Sequence, residues 1–131
     1  MLMKSILPTE PSRKRILIVE DDEKVALALA LRIRAAGFEA TIAADGFAGV
    51  RNAVQARPDA IVLDISLPAG DGFTVAQRIH AAIPAPVPII FLTASKRQDF
   101  RQKARQLGAI GFFEKPYQPE ALVAALRHAT A

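Results

Sequence analysis

Three stretches of this chain are apolar without a break: Ile16-Leu17-Ile18-Val19, Ile61-Val62-Leu63 and Ile89-Ile90-Phe91-Leu92. A strand with one wet face alternates apolar and polar residues, whereas a strand covered on both faces has no polar side to show. Three such runs therefore ask for a parallel sheet enclosed between two layers of helix. Two weaker, mixed runs, Phe38 to Ala43 and Ile110 to Glu114, suit the two edges of that sheet.

The segments between the runs have helical period. Val25 to Ala36 is rich in alanine and leucine, with Asp22 placed to cap it. Phe47, Val50 and Val54 recur at i, i+3 and i+7 after Asp45-Gly46. Val75, Ile79, Ala82 and Ile83 form a third stripe. Phe100, Ala104 and Leu107 form a fourth, with Gly108 at the stop position. Leu122, Ala125, Leu126 and Ala129 form the fifth. Strict alternation of five strands and five helices implies right-handed crossovers and a doubly wound α/β fold.

At 131 residues the chain has room for one domain. It has no cysteine, which excludes disulfides and thiolate chemistry, and its two histidines, His80 and His128, lie far apart. The uncharged stretch from Ile79 to Ser95 is broken by Pro84, Pro86 and Pro88, so no membrane span is expected. Without a signal-peptide pattern at the start, the expected location is the cytoplasm. The net charge of +4 comes largely from the first fifteen residues, where Lys4, Arg13, Lys14 and Arg15 face Glu10 alone. Pro8 and Pro11 discourage regular structure there, so residues 1–14 read as a solvated leader and 15–131 as the domain. A direct nucleic-acid partner is not expected from that leader.

In such a sheet, function belongs at the carboxyl ends of the strands. Glu20, Asp21 and Asp22 follow the first strand and Asp64 follows the third. The fourth ends at Thr93 and the fifth at Lys115-Pro116. Taken singly, each is an ordinary cap, turn or solvated residue; their joint occurrence on one face is what carries meaning. Two carboxylates ~4 Å apart repel by about 4 kcal/mol at an effective dielectric of ~20. Glu20, Asp21 and Asp64 therefore cannot all stay ionised together at no cost: one takes up a proton, or a cation sits among them. Oxygen ligands alone select a hard cation such as Mg²⁺, with Mn²⁺ able to take its place. A hard cation beside a carboxylate, a lysine and a hydroxyl is the chemistry of phosphoryl transfer.

Four runs in register carry a resemblance: Ile16 to Asp22 (I-L-I-V-E-D-D), Ile61 to Gly72 (I-V-L-D-I-S-L-P-A-G-D-G), Ile89 to Ser95 (I-I-F-L-T-A-S) and Gly111 to Pro116 (G-F-F-E-K-P). The chain resembles the receiver domain of two-component response regulators from about Arg15 to Ala129. The run around Asp64 is the most specific, with Pro68 four and Gly72 eight residues after the acid. The resemblance implies a flavodoxin-like sheet of order 2-1-3-4-5. It implies Asp64 as phosphoacceptor, receiving its phosphoryl group from a phosphohistidine on a sensor histidine kinase or a histidine phosphotransfer protein. Asp21, Asp64 and the main-chain carbonyl of Ser66 would hold Mg²⁺ directly, Glu20 would hold it through water, and Asp22 would cap the helix. Thr93 and Lys115 would bind the phosphoryl group, with a cis Lys115-Pro116 bond shaping the loop. Phe112 would be the aromatic switch residue, turning inward as Thr93 moves. The switching face would lie on the fourth helix, fifth strand and fifth helix. Such a domain catalyses only its own phosphorylation and dephosphorylation. The start at Met1 and the end just past the fifth helix point to a stand-alone receiver.

Residues 95–107 carry Lys96, Arg97, Arg101, Lys103 and Arg105 against Asp99 alone. Two copies meeting there would juxtapose like charges. The expectation is a monomer or weak dimer whose face docks an output protein with an acidic surface. Two other classes use similar folds. A haloacid-dehalogenase-like phosphatase needs Asp-x-Asp after the first strand, where this chain has three consecutive acids. A flavin or nucleotide binder needs a Gly-rich phosphate loop there, and Glu20-Asp21-Asp22 would repel phosphates.

Overall fold

The computed structural model describes residues 13–68 and 71–131. Most of the expected leader, residues 1–12, lies outside them. The elements run β1 (Arg15–Val19), α1 (Glu23–Ala35), β2 (Glu39–Ala43), α2 (Gly46–Ala56), β3 (Ala60–Asp64), α3 (Gly72–Ala82), β4 (Ile89–Thr93), α4 (Gln98–Gln106), β5 (Gly111–Glu114) and α5 (Pro119–Ala129). All pairings are parallel, in the order β2-β1-β3-β4-β5. The fold expected from the apolar runs is the fold observed, with the two mixed runs at its edges. No helix among the described residues is long and apolar enough to cross a membrane.

Local chemistry sets the boundaries. Three helices start at an aspartate whose carboxylate accepts a main-chain N–H: Asp22 from Val25 at 3.1 Å, Asp45 from Ala48 at 2.8 Å and Asp71 from Thr74 at 2.9 Å. Helix α5 starts instead on Pro119, whose missing N–H is no loss in a first turn. After α4 the chain reverses at Gly108, whose φ of +78° is open to glycine at little cost.

Because every residue of β3 and β4 is buried, the sheet separates two apolar layers. Leu17, Val19, Ile61, Leu63, Ile89 and Phe91 face α2, α3 and α4 through Ala53, Val75, Ile79 and Ala104. Ile16, Ile18, Val62, Ile90 and Leu92 face α1 and α5 through Leu29, Ile33, Leu122 and Leu126. One expected stripe is displaced. In α2 the buried residues are Gly46, Gly49 and Ala53, while Phe47 is 73% exposed and Val54 is also exposed. The cause is close packing: a Cβ on Gly49 would stand 3.0 Å from Val19 Cγ2, and one on Gly46 would stand 2.6 Å from Val75 Cγ2. The helix presents its smallest residues to β1 and α3, so Phe47 and Val54 point away while Val50 stays half-buried against the core. Ala82, expected inside, is exposed at the last position of α3. Ile110, expected in the edge strand, precedes it and is exposed.

Candidate functional site

Parallel strands deliver their last residues to one rim. Glu20 follows β1 and donates its main-chain N–H to the Ala43 carbonyl at the end of β2. Asp64 and Thr93 are the last residues of β3 and β4, and Lys115 follows β5 directly. Glu20, Asp64 and Thr93 are the only buried polar or charged residues among those described. In an ordinary domain that burial is costly unless each group is bonded, and here each is.

The Lys115 ammonium bridges the two acids, donating to Asp64 Oδ2 at 2.6 Å and to Glu20 Oε1 at 3.2 Å. The other Asp64 oxygen, Oδ1, accepts the Ser66 main-chain N–H at 2.7 Å. The other Glu20 oxygen, Oε2, accepts the Asp22 N–H at 3.3 Å. Thr93 Oγ1 accepts the Ser95 N–H at 2.9 Å, and the Thr93 carbonyl accepts the Lys115 N–H at 2.7 Å. The Lys115–Pro116 bond is cis, as expected.

One ammonium does not neutralise two buried carboxylates. Burial pushes the Glu20 carboxyl up to about 7, and the hydrogen bond and negative charge of Asp64 push the same way. Burial works against the Lys115 ammonium, but its bond to Asp64 and the charges of Asp64 and Glu20 outweigh it and raise its pKa. Burial also raises the Tyr117 hydroxyl, two residues further on.

The repulsion expected among three acids is confined to two. Asp21 is exposed, and Asp22 caps α1. Among the described residues no three His, Cys, Asp or Glu side chains stand together at metal-ligand spacing. The residues nevertheless fit a hard cation. Glu20 and Asp64 offer buried carboxylates that hold more negative charge than Lys115 offsets, Asp21 and Ser66 stand exposed at the same strand ends, and the donors are all oxygen.

Phe112 is half-buried on β5, packed at the margin of the core under α4. The Arg101 guanidinium covers its ring at 4.7 Å. The five basic residues of the α4 region are not equally free. Lys96 and Arg101 reach Glu114 at 3.4 and 3.9 Å, and Arg97 makes a two-pronged pair with Asp99 at 3.0 and 2.8 Å. Lys103 lies near the Phe73 and Phe100 rings. Lys103 and Arg105 carry the unmatched charge, since neither has a carboxylate partner among the described ion pairs.

Two contributors escaped the sequence reading. Glu114 gathers Lys96 and Arg101 only because the register sets it opposite Thr93, which no local pattern announces. Gly72 packs against the strand that ends in Asp64: a Cβ there would stand 2.5 Å from the Asp64 carbonyl oxygen. Its signal was visible as spacing after Asp64, but the reason for it was not.

The family profile described as response regulator receiver domain matches residues 16–127. The transcriptional regulatory protein PrrA of Mycobacterium leprae is 38% identical over 121 residues, 92% of this chain and 52% of that protein. The transcriptional activator protein IrlR of Burkholderia pseudomallei is 41% identical over 113 residues, 86% of this chain and 48% of that protein. The chain thus spans about half the length of these relatives. Among solved structures, a CheY-like receiver domain protein from Methanospirillum hungatei superposes with a TM-score of 0.84 at 25% identity, covering 91% of this chain and 94% of its own. The chemotaxis response regulator CheY4 of Vibrio cholerae gives 0.75 at 27% identity, covering 90% of this chain and 99% of its own.

Proposed function

The chain belongs to the response regulator receiver domain family, the receiving half of two-component signalling, and from that premise we propose that Asp64 is its phosphoacceptor. The observation that carries the proposal is the Lys115 bridge: a buried carboxylate at a strand end, already 2.6 Å from an ammonium, beside a threonine on the next strand.

An Asp64 carboxylate oxygen attacks the phosphorus of a phosphohistidine, forming a P–O bond as the P–N bond breaks. The imidazole departs and takes up a proton. The Ser66 N–H holds Oδ1 and the Lys115 ammonium holds Oδ2, which fixes the orientation of the carboxylate. Asp21, Asp64 and the Ser66 carbonyl would hold a Mg²⁺ ion, with Glu20 reaching it through water, and the ion would supply positive charge for the phosphoryl oxygens; Mn²⁺ would serve in its place. Lys115 leaves its bond to Glu20 to follow the new charge, and the Thr93 hydroxyl leaves Ser95 to bond the phosphoryl group. The acyl phosphate adds roughly one further negative charge and several strong acceptors. Phe112 then turns toward the space that Thr93 vacates.

A sensor histidine kinase or histidine phosphotransfer protein donates the group. The exposed α4 face, with Lys103 and Arg105 unmatched and Lys96, Arg97 and Arg101 around them, docks an output protein of acidic surface. No nucleic acid or membrane enters this reading, the chain acts as a monomer or weak dimer in the cytoplasm, and residues 15–131 make up the receiver domain.

Acetyl phosphate with and without Mg²⁺, read by intact mass, tests the assignment. One phosphoryl group is expected on the wild type with Mg²⁺ and none on Asp64→Asn. A label that persists in the folded variant overturns it.

A further inference from the structure

We propose that Glu114 is the hub of a latch that holds the receiver in its resting arrangement, with Arg101 as the part that restrains Phe112. The inference rests on the reading of Asp64 as phosphoacceptor and adds the regulation of that site.

Glu114 ends β5, stands opposite Thr93 in the sheet and precedes Lys115. Its carboxylate receives Lys96 at 3.4 Å, from the segment that follows Thr93, and Arg101 at 3.9 Å, from α4. Lys96 also reaches the Lys115 carbonyl at 3.5 Å. Arg101 extends from Glu114 over the face of Phe112, at 4.7 Å from the ring centre. A single carboxylate therefore ties together the segment after Thr93, helix α4 and the cover over Phe112.

Each tie belongs to this arrangement and not to the switched one. When Thr93 Oγ1 turns toward a phosphoryl group it abandons the Ser95 N–H, and the segment bearing Lys96 must rearrange. When Phe112 turns inward, the Arg101 guanidinium loses its aromatic face. Contacts made in one state and lost in the other bias the equilibrium toward the first, however small each is alone. Exposed ion pairs contribute little to stability. These act together, on the edge strand whose four residues are all only half-buried, where a small bias moves the balance.

The sign of the effect separates a latch from simple electrostatics. A phosphoryl group or its analogue is an anion. Removing the Arg101 cation nearby should weaken anion binding if charge alone matters. If Arg101 is a latch, its removal should strengthen binding, because the switched state no longer has to break it.

The test titrates Mg²⁺ and beryllofluoride into the wild type, Arg101→Gln, Glu114→Gln and the double variant. Binding is followed by the ¹H–¹⁵N signals of Phe112 and Lys115, with circular dichroism confirming the fold. Arg101→Gln is expected to tighten binding about three- to tenfold, the range that one ion pair and one cation–π contact supply. Glu114→Gln should tighten it similarly. The double variant should fall short of the product of the two, as residues in one network do. In the free variants the Phe112 signal should move part of the way toward its bound position. Unchanged or weaker binding by Arg101→Gln overturns the latch while leaving Asp64 as acceptor. A folded wild type that takes no beryllofluoride overturns both.

Discussion

Lys115 and Asp64, 51 residues apart in sequence, meet at 2.6 Å, and this bond joins the fifth strand to the third over the rim of the fourth. The ammonium offsets part of the charge of two carboxylates that would otherwise share the rim unpaired. Lys115→Met is therefore expected to destabilise the metal-free protein by about 2–4 kcal/mol, since breaking a buried pair strands the partner charge. Urea unfolding in EDTA measures it. A loss under about 0.5 kcal/mol, the scale of a surface substitution, would show that the acids do not depend on Lys115.

Stability in the absence of metal should fall as pH rises past the acid range. Burial and the neighbouring Asp64 push the Glu20 carboxyl up to about 7 in the folded protein, against an ordinary value of 4.5. Between these values the folded state binds more protons than the unfolded one, so raising the pH favours unfolding. The stabilisation is complete below pH 4.5 and is lost as the pH passes through about 7. Urea midpoints in EDTA should drop by the equivalent of about 2–3 kcal/mol across this window. Glu20→Gln should remove most of the slope, and a variant with the wild-type slope would assign the effect elsewhere.

Asp21 and Glu20 should separate cleanly in experiment although they are neighbours. Because Asp21 is exposed, Asp21→Asn is expected to leave stability in EDTA within about 0.5 kcal/mol of wild type. Its affinity for Mg²⁺ should fall at least about tenfold. Isothermal titration gives the second number. Unaltered Mg²⁺ binding would remove Asp21 from the metal site.

Gly72→Ala reverses a familiar expectation. Glycine to alanine in a helix ordinarily stabilises, by up to about 1 kcal/mol. Here the added methyl would lie 2.5 Å from the Asp64 carbonyl oxygen and 2.8 Å from Ile65 Cα, both main-chain atoms with no side-chain freedom to yield. A loss of about 1–3 kcal/mol is expected, together with slower phosphorylation because the strand end bearing Asp64 is displaced. A variant as stable as wild type would mean that the first turn of α3 shifts freely.

The apolar runs announced the sheet, its burial and its edges, because burial on both faces leaves a composition signature in each strand. Helix faces were less legible where packing is close. In α2 the stripe of Phe47, Val50 and Val54 follows hydrophobicity, but Gly49 must lie against Val19, and that steric demand turns the helix by one position. At the site, Glu20, Asp64, Thr93 and Lys115 were legible because parallel strands send their ends to one rim. The exposure of Asp21 beside a buried Glu20 is not legible from three consecutive acids, which say nothing of which side chain turns in. The pairing of Lys96 and Arg101 with Glu114 depends on the offset between β4 and β5, a fact of register that the sequence does not spell out.

Every residue of β3 and β4 is buried, while β5 is half-buried throughout and has a strand on one side only. Displacing a residue of β3 disturbs both apolar layers and two ladders of hydrogen bonds; displacing one of β5 disturbs a single ladder. Rigidity and compliance are thus assigned to different strands of one sheet. Asp64 stands on the stiff one, so a charge placed there meets ground that does not give. The displacement it provokes is passed sideways to the margin, where the least work is needed to move anything.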